Sequence, residues 1–199
     1  MTSIIDPLKK ESLTTLRIQY NWKQDIIRLE AAKEWESDTD FSQYNREFCA
    51  DDILTEDARY LNTEETRLLY RNNGIEEYLD TIISLIKKGK HLGITLYYYG
   101  EKDIKFVCHK HSIKRGINNR RGAMFIDGIR RYEPEDNELD MIKDGLAISR
   151  GMSLKCIAGD ISFGGSKSTV QMTPVDLEDM KTLGFLAYAL DRNRCMTGA

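Results

Sequence analysis

The feature that most constrains the fold is a change in hydrophobic period near residue 90. Before that point many apolar residues recur at spacings of three and four, whereas from Leu92 onward they alternate with polar ones. The first spacing is typical of helices with one buried face, and alternation is typical of strands with one buried face. The sequence therefore predicts an α+β (or α/β) fold, a small mixed sheet flanked by helices and preceded by a helical N-terminal extension.

The helical extension is predicted to cover residues 1–90. Residues 12–35 carry Leu16, Tyr20, Ile27 and Ala31 at roughly helical spacing. A second helix is expected to begin at a capped start over residues 62–65, and a third to run over residues 75–89.

The sheet is predicted to lie in residues 91–199. Residues 92–99 and 104–108 alternate on either side of a turn, which predicts a β-hairpin. Residues 122–129 read as a further strand, and a helix is expected after Pro134. The last helix is predicted to open at Thr173 and Pro174, because proline is favoured in the first turn of a helix.

Charge and cysteine content exclude several classes of protein. The chain of 199 residues carries 29 basic and 32 acidic side chains, a balance that gives no footprint for nucleic acid. No run of 18 apolar residues occurs, so neither a membrane span nor a membrane partner is expected. The four cysteines include no CxxC pair, which predicts buried free thiols and a reducing, cytoplasmic setting.

The sequence Cys108-His109-Lys110-His111 offers three possible metal ligands. Neighbouring residues of a strand face opposite sides of the sheet, so at best two of these three ligands converge. We therefore expect no metal site.

The stretch with most chemical content runs from residue 150 to 167 and reads RGMSLKCIAGDISFGGSK. It holds two lysines twelve residues apart, Lys155 and Lys167, and the second follows the pair Gly164-Gly165. A glycine pair permits a sharp bend and a close approach of a ligand to the backbone. Two alternatives are surface lysines and a phosphate-binding turn, but Asp160 stands where the latter pattern needs glycine.

This stretch resembles the signature of the glutamate/leucine/phenylalanine/valine dehydrogenase family, RGMTxK followed after about eight residues by GGGK. The matching residues are Arg150, Gly151, Met152, Lys155, Gly164, Gly165 and Lys167. Upstream, residues 127–130 (DGIR) resemble the family's GGIR, and residues 121–123 its approach to that strand. Downstream, residues 194–199 resemble the segment before the family's catalytic aspartate. The resemblance covers about residues 92–199.

The resemblance implies a role for each matching side chain. Lys167 would be the catalytic acid/base that activates water for attack on an imino acid. Lys155 would bind the α-carboxylate of an amino-acid substrate, helped by Met152 and by the backbone at Gly128. The pair Gly164-Gly165, expected as a turn, would bring the backbone close to the substrate.

The resemblance also implies a cofactor and partners. The family uses NAD or NADP, bound on a separate Rossmann domain, and no GxGxxG pattern occurs in these 199 residues. The chain is therefore expected to be the substrate-binding and dimerisation part of an amino-acid dehydrogenase, a homo-oligomer that is inactive alone. The alternative is a non-catalytic assembly module that kept the fold.

Three positions depart from the family pattern. Asp127 replaces the first glycine of GGIR, and Ser166 and Ser168 replace glycines of GGGKG. A carboxylate at position 127 would repel a substrate carboxylate unless it points away or pairs with Arg130. These departures favour the alternative function.

Overall fold

The computed structural model describes residues 3–44, 53–112, 124–174 and 178–197. Within these ranges the chain forms nine strands and five helices. The strands are β1 (Thr15–Asn21), β2 (Ile26–Lys33), β3 (Arg59–Leu61), β4 (Gly93–Tyr99), β5 (Ile104–Ser112), β6 (Phe125–Asp127), β7 (Ile129–Tyr132), β8 (Gly164–Gln171) and β9 (Cys195–Thr197). The helices are α1 (Asp6–Lys10), α2 (Thr63–Asn72), α3 (Glu76–Gly89), α4 (Glu138–Ala158) and α5 (Met180–Arg192).

All nine described strands belong to one mixed sheet. Its order is β3-β2-β1-β4-β5-β8-β6-β9. Strand β7 follows β6 in the chain and pairs with the later residues of β8. Neighbours from β3 to β8 are antiparallel, whereas β6 and β7 run parallel to β8, and β9 parallel to β6. Because β1 pairs with β4, the parts of the chain before and after residue 90 share this sheet.

Helices cover both faces of the sheet. On one face α1 to α4 bury an aliphatic core that includes Leu8, Ile82 and Ile142. On the other face α5 buries an aromatic core, in which Trp35 packs edge-on to Tyr188 with ring centroids 5.5 Å apart. This arrangement confirms the predicted α+β class and the mixed sheet flanked by helices.

Several local predictions are confirmed. The side chain of Asn62 accepts hydrogen bonds from the amides of Glu64 and Glu65, and Glu65 accepts one from the amide of Asn62, so α2 begins with a capping box. The third predicted helix is α3, and the predicted hairpin is β4 with β5.

None of the described helices has both the length and the apolar character needed to cross a bilayer.

The expected helix over residues 12–35 was wrong, since this segment forms the hairpin of β1 and β2. Leu16 and Tyr20 are four residues apart, as are Ile27 and Ala31, and four is a helical spacing that is also even. Such residues therefore fall on one face of a strand equally well. The connecting turn contains Asp25 in the left-handed region, at φ 54°.

The helix expected after Pro134 is α4, which continues to Ala158, so the motif residues up to Lys155 are helical. Two other boundaries differ from the prediction. The pair Gly164-Gly165 begins strand β8 and does not form a turn. Helix α5 begins at Met180, and the described residues Thr173 and Pro174 precede it without helical structure.

Candidate functional site

The two faces of β8 carry different chemistry because side chains alternate along a strand. Gly165 and Lys167 face α4, since a β-carbon at Gly165 would lie 2.1 Å from the amide nitrogen of Ser153 in that helix. Ser166 and Ser168 face the opposite side of the sheet. One short strand therefore contributes to two separate clusters.

Lys167 lies against the backbone at Gly128. A β-carbon at Gly128 would stand 3.2 Å from Nζ of Lys167, so the missing side chain leaves room for the ammonium. Lys167 is half-buried, and no described carboxylate lies within ion-pair distance of its Nζ. The structure thus brings together two residues that the sequence predicted for one site.

The backbone polar groups of Gly128 are already paired. Its amide donates to Oδ1 of Asp127 at 2.6 Å, and its carbonyl accepts from the amide of Ser168 at 3.1 Å. The contribution of Gly128 is therefore space for Lys167, and its N–H is not free for a substrate carboxylate.

The pair Gly164-Gly165 is required by packing within the protein. A β-carbon at Gly164 would lie 1.9 Å from the carbonyl oxygen of Ser112 in β5, and one at Gly165 would meet the peptide between Met152 and Ser153. Any larger residue at either position would push β5 or α4 away.

Lys155 lies two residues beyond Ser153 on α4, and its side chain is exposed. No described carboxylate lies within ion-pair distance of its ammonium either. Lys155 and Lys167 therefore belong to two elements, α4 and β8, that meet at Gly165.

Asp127 does not face Lys167. Its buried carboxylate points to the opposite side of the sheet, where Oδ2 accepts from the hydroxyls of Ser166 at 2.7 Å and Ser168 at 3.1 Å. Oδ1 accepts from the amide of Ser168 at 2.7 Å. Of the two expected arrangements, the carboxylate thus points away from the lysine face, and Arg130 pairs with Asp144 of α4 at 2.9 Å. The three departures from the family motif are thus one hydrogen-bonded set.

His109 supports the same strand from the α4 face, and sequence reasoning missed it. Its ring is fully buried under Gly145, and Nδ1 donates to the carbonyl oxygen of Lys167 at 2.9 Å. Burial lowers the pKa of His109 to about 4, so the ring is neutral at pH 7. Its Nε2 is buried and has no hydrogen-bond partner among the described residues. The sequence feature that could have indicated this role is the alternation of His109 with Cys108 along β5.

Two further histidines, His91 and His111, lie beside α4 near the start of the motif segment. His91 is buried, and its ring centroid is 4.9 Å from that of His111. Burial and the neighbouring His111 lower the pKa of His91 to about 4. His111 contacts Oγ of Ser153 at 2.9 Å, and burial together with Arg150 lowers its pKa. These rings are therefore neutral packing elements next to α4.

Two cysteines lie on the face of the sheet that Asp127 occupies, opposite the face of Lys167. The sulfur atoms of Cys108 and Cys195 are 3.6 Å apart, and both thiols are free. Hydrogen bonding to Cys108 and burial raise the pKa of the Cys195 thiol. Residues 113–123 and 198–199, with the predicted motif pieces they carry, lie outside the described residues.

Comparison with known proteins finds similar chains among solved structures. No family model and no curated protein matches the sequence. Among solved structures, L-tryptophan dehydrogenase from Nostoc punctiforme is 23% identical, with a TM-score of 0.49 over 59% of this chain and 33% of that one. The Leu-bound hetero-hexameric glutamate dehydrogenase from Thermus thermophilus is 15% identical, with a TM-score of 0.33 over 48% of this chain and 22% of that one. The chain therefore spans a third or less of either protein's length.

Proposed function

We propose that this chain is the substrate-binding and dimerisation part of an NAD(P)-dependent dehydrogenase that oxidatively deaminates an L-amino acid to a 2-oxo acid. The observation that carries the proposal is the placement of Lys167. Its ammonium lies in the space left by Gly128, on the face of β8 against which the motif helix packs. No described side chain neutralises it, so it is available to a ligand.

The position of Asp127 supports a catalytic role over a purely structural one. A carboxylate next to Lys167 would pair with its ammonium and repel the carboxylate of an amino acid. Asp127 is instead bound by hydroxyls and amides on the other face of the sheet. The departure from the family motif thus leaves the lysine face unchanged.

In this proposal Lys155 binds the α-carboxylate and Lys167 moves protons. A lysine ammonium is a suitable partner for a carboxylate, and the exposed position of Lys155 permits access. In its neutral amine form Lys167 takes the proton from water that attacks the imino carbon, and the ammonium so formed returns a proton to the departing amine. Met152 of α4 is expected to line the approach to the lysines.

The chain does not itself fit the dinucleotide. It has no GxGxxG pattern, and its glycine pair is filled by neighbouring protein backbone. We therefore place NAD or NADP, the hydride acceptor, on a domain outside these 199 residues. The chain alone is expected to bind an amino acid or 2-oxo acid without turnover, in the cytoplasm.

Assembly into a homo-oligomer belongs to the same proposal. Leu154 and Ile157 of α4 are 59% and 63% exposed, which is unusual for large aliphatic side chains on a helix next to a proposed site. The same observation favours the second candidate function, an assembly module without catalysis. In that case Lys155→Ala with Lys167→Ala would leave both activity and assembly intact.

The test uses the natural polypeptide that contains this chain, assayed with L-amino acids and with NAD⁺ or NADP⁺. Lys167→Met is expected to lower kcat by about 10²–10⁴-fold, and Lys155→Ala to raise KM. Lys143→Ala is the matched control, because it removes an exposed α4 lysine whose one ion-pair partner in the described part of the chain is Asp140. Unchanged kcat in Lys167→Met would refute the catalytic assignment.

A further inference from the structure

A compact set of ligand atoms lies on the face of the sheet opposite Lys167. It consists of Sγ of Cys108 from β5, a carboxylate oxygen of Asp127 from β6 and Sγ of Cys195 from β9, all within 4.8 Å of one another. The two sulfur atoms are 3.6 Å apart, and Sγ of Cys108 is 3.8 Å from Oδ2 of Asp127. Three different strands thus deliver three potential ligands to one point.

These separations are those of a tetrahedral metal site. Sulfur ligands at about 2.3 Å from zinc and an oxygen ligand at about 2.1 Å lie about 3.6–3.8 Å from each other when the angles are tetrahedral. The observed distances of 3.6 and 3.8 Å fall in that range, and the third pair of ligand atoms lies within 4.8 Å. Ser166 supplies a fourth polar atom, with Oγ 3.6 Å from Sγ of Cys195.

The carboxylate gives an independent indication of a cation. Asp127 is 5% exposed, yet no Lys or Arg among the described residues lies within ion-pair distance of it. Buried carboxylates are ordinarily paired with a positive group or a metal ion. Five donors hold its two oxygens: the amides of Gly128 and Ser168, two serine hydroxyls and, more weakly, the Cys108 thiol.

We propose that Cys108, Asp127 and Cys195 bind a thiophilic divalent cation, Zn²⁺ by the chemistry of the ligand set. Two sulfur ligands disfavour Mg²⁺ and Ca²⁺, which select oxygen, whereas cysteine and carboxylate ligands both suit Zn²⁺. Ser166 Oγ or a water completes the tetrahedron. The hydroxyl of Ser168 orients the carboxylate through its hydrogen bond.

Binding exchanges protons for metal. Each thiol loses its proton as its sulfur bonds to the ion, so one Zn²⁺ displaces two protons while the carboxylate binds as it stands. No oxidant or reductant takes part. The complex carries one net negative charge, which the surrounding hydroxyl and amide donors stabilise.

The site lies directly behind the proposed catalytic lysine. Asp127 precedes Gly128, and Ser166 and Ser168 flank Lys167 in β8. A bound ion would therefore join β5, β6 and β9 beneath the strand that positions Lys167. The metal site does not depend on the proposed function, since its ligands do not include the lysines.

The test is a titration of the reduced, metal-free chain with Co²⁺, followed by displacement with Zn²⁺. We expect one ion per chain, a near-ultraviolet sulfur-to-cobalt absorption band and visible bands of a tetrahedral site. About two protons should be released per ion in weakly buffered solution. Cys108→Ser, Asp127→Asn and Cys195→Ser should each weaken binding by at least about tenfold.

Cys156→Ser is the matched control, because Cys156 is a buried cysteine outside the cluster. It should bind Co²⁺ as the unchanged chain does. Circular dichroism and urea titration of the metal-free variants show which of them fold. If a cysteine variant does not fold, Asp127→Asn still tests the site, because it keeps the shape of the side chain. Absence of binding at micromolar Co²⁺ or Zn²⁺, binding unaffected by these substitutions, or a Cys108–Cys195 disulfide with no metal uptake by the reduced chain would each overturn the proposal.

Discussion

Replacing His109 with glutamine is expected to remove a pH-dependent part of the free energy of unfolding. The histidine ring is fully buried, and its only described hydrogen bond is the one from Nδ1 to the carbonyl oxygen of Lys167. Protonation would place a positive charge at the unpartnered Nε2 in a dry interior. Glutamine is neutral at every pH and can still donate a hydrogen bond to that carbonyl.

The magnitude follows from the shift in pKa. In the unfolded chain the pKa of His109 is near its ordinary value of 6.5, whereas burial lowers it to about 4 in the folded protein. The unfolded state therefore binds the proton more readily, and the folded state loses stability as the pH falls from about 6.5 to about 4. A difference of about 2.5 units corresponds to about 3 kcal/mol. Below about pH 4 both states are protonated and this loss stops growing.

The assay is urea unfolding of the chain and of His109→Gln at intervals between pH 7 and pH 4. Every other titrating group is common to both proteins, so the difference between the two curves isolates His109. The unchanged chain should lose about 3 kcal/mol more than the variant over this range. Proton NMR gives the pKa of the ring directly. A titration midpoint near 6.5, or parallel stability curves, would refute the reasoning.

Three other substitutions test packing, a buried ion pair and a helix cap, each measured by the same urea titration. Gly165→Ala is expected to cost about 3 kcal/mol, because the backbone of α4 would have to move; an unchanged midpoint would contradict this. Glu34→Ala should cost about 3–5 kcal/mol, because it removes the fully buried partner of Arg17, whereas Glu30→Ala, at the exposed end of the same arginine, should cost less than about 1 kcal/mol. Equal losses would argue against a role for burial. Asn62→Ala should cost about 1 kcal/mol through loss of the capping box, and no loss would show that α2 needs no cap.

Hydrophobic period predicted the fold class but not every element. From Leu92 onward the alternation was unambiguous, and β4 and β5 followed from it. In residues 12–35 the pairs Leu16/Tyr20 and Ile27/Ala31 are each four residues apart, and that spacing fits both a helix and one face of a strand. What decided the outcome was pairing of β1 with β4, a contact across about 80 residues that no local pattern contains.

The motif predicted a lysine site, but the surroundings of that site depend on the register of the sheet. Gly128 was predicted to help Lys155 bind a carboxylate, and in the structure the space at Gly128 holds Nζ of Lys167. The surroundings of Asp127 and of the two cysteines could not be predicted, because β5, β6 and β9 are distant in sequence. Strand β9 pairs with β6, and β5 is joined to both only through β8. A search confined to Cys108 and its immediate neighbours could not find ligands on other strands.

The short segment Gly164–Ser168 explains why the departures from the motif occur together. Its glycines permit the close approach of β5 and α4, its serines bind a buried carboxylate, and Lys167 faces the proposed substrate. A buried Asp127 without hydroxyl donors would be destabilising, and serines without that carboxylate would be buried hydroxyls lacking their acceptor. Each replacement of glycine therefore requires the others. Because Asp127 also binds the amides of Gly128 and Ser168, it fixes the backbone on both sides of the lysine contact. The position of the proposed catalytic group is thus set from the opposite face of the sheet.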